Sequence, residues 1–264
     1  MKSQVHAACL SDAGCVRDSN EDAARIHESA DDARGVLAVV ADGMGGHMAG
    51  EVASHLAVET IHAVYFQHPG APGEALQAAF AAANHVIYER AQQNRQCAGM
   101  GTTCVAVAVC EGQAYASHVG DSRLYLVRRG QIYQLTNDDS VVSEMVSRGV
   151  ISRDDARRHA DRNVILKALG TRADVVASSW SEPLPIQPGD TLVLCSDGLT
   201  DMVSDGELAS TAADGPVAEG CRALVGLAKS RGGFDNITVA LLRFTPSQSA
   251  STSLRETRDV RVTS

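Results

Sequence analysis

Acidic residues follow apolar runs at several points of this chain. The runs 36–41 and 192–195 are rich in valine and leucine; Asp42-Gly43 follows the first directly, and Asp197-Gly198 follows the second after one serine. Such runs predict buried strands, so each aspartate should emerge at a strand's carboxyl end, facing solvent or a ligand. Loop ends on a rigid scaffold are where binding and catalytic residues concentrate. Three further acidic turns are Asn20-Glu21-Asp22, Asp121-Ser122-Arg123 and Asp235-Asn236.

If several of these carboxylates converge, they repel one another, and burying them unpaired costs more free energy than folding supplies. A pair of divalent cations is the simplest remedy. Hard oxygen ligands without a histidine or thiolate partner favour magnesium, manganese or calcium over zinc. The acidic turns therefore predict a metal centre.

The sequence gives weaker support to two other kinds of binding site. The glycine-rich segment 42–46 suggests a dinucleotide loop, but the third glycine of that fingerprint would fall on Met48, and a plain strand-to-helix turn is the structural alternative. His47, Glu51 and His55 have the spacing of one helical face and could in principle hold zinc. A solvated helix face is the simpler interpretation.

Composition excludes some classes of function. A net charge of −9 without a lysine or arginine cluster argues against a nucleic-acid partner. No apolar run approaches the roughly 18 residues of a membrane span, and the first ten residues lack a signal-peptide pattern, so we expect a cytoplasmic protein without a membrane partner. The seven cysteines form no Cys-x-x-Cys pair, which predicts free buried thiols.

The chain alternates between strand-like and helix-like segments. The predicted strands are 5–10, 23–27, 35–41, 102–110, 113–119, 122–127, 132–135, 175–180, 191–195 and 237–244. Helices are predicted over 50–65, with Val52, Leu56 and Val64 inward, from about 73 to the polar stretch 92–96, near Glu207, and over 217–229. Glu111-Gly112 and Arg129-Gly130 indicate hairpin turns.

This order predicts an α+β protein in which two antiparallel sheets pack together with helices outside, a four-layer α-β-β-α sandwich. We expect one catalytic domain over residues 1–245. Within it, the charged, helix-prone segment of about 137–170 resembles an inserted flap, with Ser152 and Asp155 as a capping box. The Ser-, Thr- and Arg-rich segment 246–264 is predicted to be a disordered tail.

Taken together, the motifs strongly resemble the metal-dependent type 2C protein serine/threonine phosphatases, in their stand-alone bacterial form. The resemblance spans about residues 3–244 with every motif in order. Its segments are 14–22 (GCVRDSNED), 41–46 (ADGMGG), 120–123 (GDSR), 196–199 (SDGL) and 235–238 (DNIT). One such motif occurs by chance, whereas five at compatible spacings are very specific.

The resemblance implies a β-sandwich with two or three Mn²⁺ or Mg²⁺ ions at one end, where a metal-bridging water attacks phosphoserine or phosphothreonine in line. Asp42 would bridge both ions and the Gly43 carbonyl would bind one. Asp197 and Asp235 would hold the other, and Arg17 would clamp the phosphate, as a planar guanidinium can. The further implied ligands are Glu21 and Asp22, largely through water, and Asp121 at a third metal position, with a salt bridge to Arg123 as the alternative.

Two departures from the family pattern matter. Animal members carry a histidine after the Asp-Gly pair as the presumed general acid, whereas this chain has Met44, as bacterial members usually do, so water or another group must protonate the leaving group. His47 is close in sequence, but nothing in the sequence places it near the leaving oxygen. Asp139 stands in the flap where many relatives have histidine.

The predicted function is hydrolysis of phosphoserine and phosphothreonine in proteins, opposing a cognate serine/threonine kinase, by a monomer. Two alternatives keep the fold and change the activity: a non-catalytic phosphoprotein-binding regulatory module, and a hydrolase of small phosphate esters. Loss of metal ligands would indicate the first alternative, and none is lost.

Overall fold

The computed structural model describes residues 3–29, 34–45, 49–156 and 158–246. Its strands are Ser3–Asp12 (β1), Asp22–Glu28 (β2), Val36–Met44 (β3), Gly101–Thr102 (β4), Cys104–Cys110 (β5), Gln113–Val119 (β6), Arg123–Arg128 (β7), Gln131–Gln134 (β8), Ser178–Ser179 (β9), Leu184–Pro185 (β10), Thr191–Cys195 (β11) and Ile237–Pro246 (β12). Its helices are Ala49–Gln67 (α1), Pro72–Gln93 (α2), Val141–Ser147 (α3), Arg153–Ala156 (α4), Asp197–Thr200 (α5), Asp205–Ala213 (α6) and Val217–Ser230 (α7), with a 3₁₀ turn at Arg95–Cys97.

The strands form two antiparallel sheets. The first sheet has the order β1-β12-β11-β7-β8, and the second has the order β10-β6-β5-β3-β2, with β4 beside β3 and β9 beside β6. Strands β1 and β12, from opposite ends of the chain, pair over their whole length from Ser3 with Pro246 to Asp12 with Ile237. The last strand is therefore required to complete the sheet that the first strand begins.

Alternation along each strand divides the apolar side chains among three cores. In β3, the even-numbered residues 36–40 face the first sheet and pack with residues of β5, β7, β11 and β12. The odd-numbered residues 37–41 face α1 and α2. On the far side of the first sheet, residues of β7, β11 and β12 pack against α6 and α7. The predicted four-layer α-β-β-α sandwich is confirmed.

Most predicted elements are present, and one helical face is partly as predicted. Along α1 the fully buried side chains are mostly small ones, with Ile61 and Tyr65, whereas Val52, Leu56 and Val64 pack against the same core but are only partly buried. Alanine permits the close approach of α1 to the sheet and to α2, so small side chains form much of the packing face.

The strand predicted over 175–180 is also mostly absent. Only Ser178–Ser179 pairs with β6, while Val175 packs against the α1–α2 core as part of a loop. A further difference lies at β3, which extends through Gly43 to Met44 because β4 pairs with it there. Asp42 therefore lies within a strand rather than in the turn after one.

The predicted hairpin turns are confirmed. Glu111 and Gly112 have φ values of +50° and +76°, and Arg129 and Gly130 have +54° and +76°. Two successive positive φ values are those of a type I′ turn, whose twist matches that of the flanking strands.

The segment 137–170 leaves the first sheet after β8 and returns beside β4, where Thr102 bridges Leu169. It contains α3 and α4, and the Ser152 amide and the Asp155 amide each donate to the other residue's side chain, as the capping box requires. Residues 247–264 of the predicted tail lie outside the described residues.

Five of the seven cysteines are buried free thiols, but Cys9 and Cys15 are exposed, which corrects the expectation that all are buried. Cys9 lies on the edge strand β1 and Cys15 in the following loop, so neither is enclosed by a neighbouring strand. Among the helices of the described ranges, none combines the length and apolarity needed to cross a membrane.

Candidate functional site

One end of the sandwich is polar although it continues the inter-sheet core. Asp42 follows the inward-facing residues 36, 38 and 40 of β3 by the two-residue period, and Ser196 follows Leu192 and Leu194 of β11 in the same way. The same alternation that buries valine and leucine along these strands therefore places a carboxyl and a hydroxyl where the apolar layer ends.

Asp22 and Asp42 lie directly opposite each other on the antiparallel strands β2 and β3. Residues opposite in such a pair point to the same face, and like charges there repel. Burial first, and then repulsion from Asp22 and Asp197, raise the pKa of Asp42 well above its usual range. Burial likewise raises the pKa of Asp22 to about 7, although hydrogen bonds from Thr238 and Ser196 oppose the shift.

A hydrogen-bond chain joins Asp22 to the other sheet. The Ser196 hydroxyl donates to Oδ2 of Asp22 at 2.7 Å and accepts from the Thr238 amide at 3.0 Å. Oδ1 of Asp22 is buried and has no hydrogen-bond partner. One oxygen of this carboxyl is thus oriented by the protein, and the other is available to a ligand.

Asp197 is the first residue of the short helix α5. Its Oδ1 is also buried without a partner. Burial and repulsion from Asp201 and Asp235 raise its pKa to about 6, against a hydrogen bond from Asp42. Asp22, which is buried, and Asp42 and Asp197, which are partly buried, therefore form one group of interacting carboxyls contributed by both sheets.

Glu21 and Gly43 meet beside this group. The Gly43 amide donates to the Glu21 carbonyl at 3.1 Å, and a Cβ on Gly43 would lie only 2.1 Å from the Gly50 carbonyl at the start of α1. Glycine at 43 therefore allows β3 and α1 to approach closely. Burial raises the pKa of Glu21, with Arg17 opposing the shift.

Arg17 and Asp235 form the solvent-facing rim. Nη2 of Arg17 donates to Oδ2 of Asp235 at 2.8 Å, and both side chains are about half exposed. The Asp235, Glu21 and Asp42 carboxylates raise the pKa of Arg17, with Asp235 contributing most. A permanent cation is thus held at the mouth of the acidic group, with free N–H donors.

Asn236 holds the loop that carries Arg17 and Glu21. Its Nδ2 donates to the carbonyls of Ala13 and Ser19 at 3.1 and 2.8 Å, and its Oδ1 accepts from the Glu21 amide at 2.8 Å. The sequence motif contained Asn236 and Ser196, but no positioning role was predicted for either. The sequence did contain a signal for both, because each has a side-chain amide or hydroxyl and lies directly beside a candidate metal ligand in the chain.

Asp121 lies in the turn between β6 and β7. Burial and repulsion from Asp197 and Asp138 raise its pKa to about 7. The alternative salt bridge with Arg123 is not formed. Instead Arg123 binds Asp138 through both Nε (3.0 Å to Oδ1) and Nη2 (2.7 Å to Oδ2).

The residues that depart from the family pattern have structural contacts. Asp139 pairs with Lys167 at 2.8 Å and accepts from the Gly120 amide at 3.2 Å, which ties the start of the segment 137–170 to the site. A Cβ on Gly101 would lie 2.9 Å from the Met44 Cε, so that side chain packs over β4. His47 lies outside the described residues.

The zinc alternative gains no support. Nδ1 of His55 lies 2.9 Å from the backbone carbonyl of Glu51, as on a solvated helix face. Across the described ranges, no group of three histidine, cysteine or acidic side chains is placed to hold a metal ion by itself. Oδ2 of Asp235 accepts from Arg17 at 2.8 Å, so backbone carbonyls and water would complete the coordination of an ion bound here.

The acidic group nevertheless fits hard divalent cations. Two of its buried carboxyl oxygens have no partner, its pKa values are raised by burial and mutual repulsion, and its donors are all oxygen. Mg²⁺ in particular is bound by few carboxylates and keeps several waters. A cation would remove the electrostatic penalty that the protein otherwise carries.

Comparison with known proteins gives a consistent result. Residues 16–224 match the family model described as protein phosphatase 2C. The serine/threonine phosphatase stp of Listeria innocua is 37% identical over 244 residues, which cover 90% of this chain and 95% of that protein.

Solved structures are similar over nearly the whole chain. The phosphatase Stp1 from Staphylococcus aureus has a TM-score of 0.83 at 34% identity, covering 91% of this chain and 95% of its own. The catalytic domain of the phosphatase PstP, solved in complex with two manganese ions, has a TM-score of 0.81 at 35% identity, covering 92% and 100%. The chain therefore belongs to the protein phosphatase 2C family.

Proposed function

We propose that this protein is a metal-dependent serine/threonine phosphatase that hydrolyses phosphoserine and phosphothreonine in proteins, using Mn²⁺ or Mg²⁺. The observation that carries the proposal is the pairing of buried, unpartnered carboxyl oxygens on Asp22 and Asp197 with the half-exposed guanidinium of Arg17. The carboxyl oxygens are available to cations, and the remaining N–H donors of the guanidinium are available to an anion.

The proposed ligands follow the sequence assignment. Two ions would be held by Asp42, the Gly43 carbonyl, Asp197 and Asp235, while Glu21 and Asp22 would act largely through water. Asp121 would serve a third position, which its raised pKa and proximity to Asp197 support. Divalent cations at such a site lower the pKa of water and offset negative charge on phosphoryl oxygens.

The protein's own residues would position the substrate. Arg17 would exchange part of its contact with Asp235 for two phosphoryl oxygens, since a guanidinium has five N–H donors. Asn236 would keep Arg17 in place, because it binds the loop on both sides of it through Ala13 and Ser19. Ser196 would keep the Asp22 carboxyl oriented towards the acidic group.

The proton for the leaving oxygen would come from water or another group. Met44 has no exchangeable proton, and it packs over β4. We further propose that residues 1–245 form the catalytic domain with a flap over about 137–170, that the protein acts as a cytoplasmic monomer, and that its substrates are phosphoproteins of a cognate serine/threonine kinase.

The test is hydrolysis of a phosphothreonine peptide by the purified protein with Mn²⁺, with chelator, and with the variant Asp197→Asn. Asp214→Asn is the matched control, because Asp214 is an exposed aspartate after α6, away from the acidic group. We expect turnover only with Mn²⁺, loss in Asp197→Asn and full activity in the control. Binding of Mn²⁺ and phosphopeptide without turnover would instead indicate a regulatory module, and preference for metabolite phosphates would indicate a small-ester hydrolase.

A further inference from the structure

Two large apolar side chains are exposed beside the proposed phosphate-binding arginine. Val16 is 60% exposed and Phe234 is 61% exposed. Each directly precedes a charged residue of the rim, since Val16 is followed by Arg17 and Phe234 by Asp235. Single exposed apolar residues are ordinary on protein surfaces, so their arrangement is what matters.

The two loops that carry them are joined residue by residue. The Cys15 amide donates to the Gly233 carbonyl at 2.8 Å, and Arg17 binds Asp235 at 2.8 Å. Val16 lies between Cys15 and Arg17 on one loop, and Phe234 lies between Gly233 and Asp235 on the other. The contacts on either side therefore place Val16 and Phe234 at equivalent positions of two adjoining segments.

The backbone around this pair is held closely. A Cβ on Gly14 would lie 2.2 Å from the Asp235 carbonyl, and one on Gly233 would lie 3.0 Å from the Cys15 Sγ. A Cβ on Gly232, whose φ is +126°, would lie 2.6 Å from the Phe234 ring, so the ring rests over that glycine. The apolar pair is thus presented on loops in direct backbone contact.

We propose that Val16 and Phe234 form a specificity-determining apolar subsite that binds an apolar side chain next to the phosphoresidue of the substrate. The proposal rests on the proposed phosphatase function. A phosphoryl group bound by Arg17 belongs to a polypeptide, and consecutive residues of an extended chain are about 3.3–3.6 Å apart. A residue flanking the phosphoresidue is therefore within reach of the positions next to Arg17 and Asp235.

The subsite supplies selectivity by burying apolar surface. Removing about 50 Å² of apolar surface from water when the peptide binds corresponds to roughly an eightfold gain in affinity. We therefore expect the protein to prefer a phosphothreonine peptide flanked by leucine over one flanked by serine by about five- to tenfold in kcat/KM. Hydrolysis of p-nitrophenyl phosphate, which has no flanking residue, should not depend on the pair.

The experiment compares two such peptides, with leucine or serine on both sides of phosphothreonine, in the presence of Mn²⁺. The double variant Val16→Ser/Phe234→Ser should lose the preference and retain hydrolysis of p-nitrophenyl phosphate. Tyr133→Ser removes another exposed aromatic side chain, 51% exposed on β8 outside both loops, and should leave the preference intact.

Equal kcat/KM for the two peptides in the unmodified protein would overturn the subsite, and this comparison does not depend on any variant folding. A preference that survives in the double variant would overturn it as well. A failure of the proposed function is distinguishable, because the unmodified protein would then hydrolyse neither peptide with Mn²⁺.

Discussion

Raising the pH should destabilise the metal-free protein, because its buried aspartates hold protons that the unfolded chain releases. Burial raises the pKa of Asp22 from 3.8 to about 7. Between these values the folded state binds more protons than the unfolded state, so the free energy of unfolding falls as pH rises. One such shift corresponds to about 4 kcal/mol between pH below 4 and pH above 7. Asp121 and Asp197 shift in the same direction.

Because the three carboxyls repel one another, their contributions are not additive. About 2.6 kcal/mol of the Asp22 contribution falls between pH 5 and pH 8, because the unfolded carboxyl is already mostly deprotonated at pH 5. Thermal unfolding in chelator should therefore give a Tm roughly 5–10 °C lower at pH 8 than at pH 5. Added Mn²⁺ should raise Tm more at pH 8 than at pH 5, since metal ligands bind when deprotonated.

The variant Asp22→Asn provides the control, because it removes one titrating group without removing the side chain. Its Tm should depend less steeply on pH in chelator. A metal-free Tm that stays constant or increases between pH 5 and pH 8 would refute the reasoning, since no excess proton would then be bound in the folded state.

Three further predictions concern single residues. Ser196→Ala should weaken Mn²⁺ activation by about 10- to 100-fold, as expected when a group that orients a ligand is lost. Ser117→Ala also removes a 2.7 Å hydroxyl contact and should leave the Mn²⁺ titration unchanged. Equal effects of the two variants on Mn²⁺ activation would contradict the positioning role of Ser196. Arg17→Lys should raise KM for a phosphopeptide, with a loss of about 10- to 100-fold in kcat/KM, and an unchanged KM would argue against phosphate binding. Gly170→Ala should lower the free energy of unfolding by about 1–3 kcal/mol more than Gly149→Ala. Both glycines have positive φ, but only at 170 would a Cβ lie 2.1 Å from an isoleucine of α2. Equal losses of the free energy of unfolding in denaturant titrations would contradict this steric argument.

The sandwich was predictable because the apolar pattern within each strand shows which of its residues are buried. The alternation in 36–40 separates an inter-sheet face from a helix-facing face, and the turns at 111–112 and 129–130 have the glycine that the second position of a type I′ turn favours. Elements that depend on a partner were predicted less well. The segment 175–180 has strand-like composition, yet only two of its residues find a pairing strand.

The candidate ligands could be predicted as a set, but the contacts among them could not. The register that places Asp22 opposite Asp42 depends on how β2 pairs with β3, and strand pairing is not encoded in either segment alone. The Ser196 hydroxyl reaches a carboxyl 174 residues away in sequence. Propensity and periodicity describe neighbours along the chain, so they carry no information on such contacts.

The architecture explains how repelling carboxyls are kept together. Asp22 and Asp42 belong to one sheet, while Ser196, Asp197 and Asp235 lie at or beside strands of the other. Separation of the acidic group would require the two sheets to separate, and their shared core of buried valine, leucine and alanine opposes this. The inter-sheet hydrogen bond from Ser196 to Asp22 lies at the boundary between that core and the acidic group. The apolar layer thus supplies the free energy that keeps the carboxyls in place before a cation binds, and cation binding should in turn stabilise the contact between the sheets.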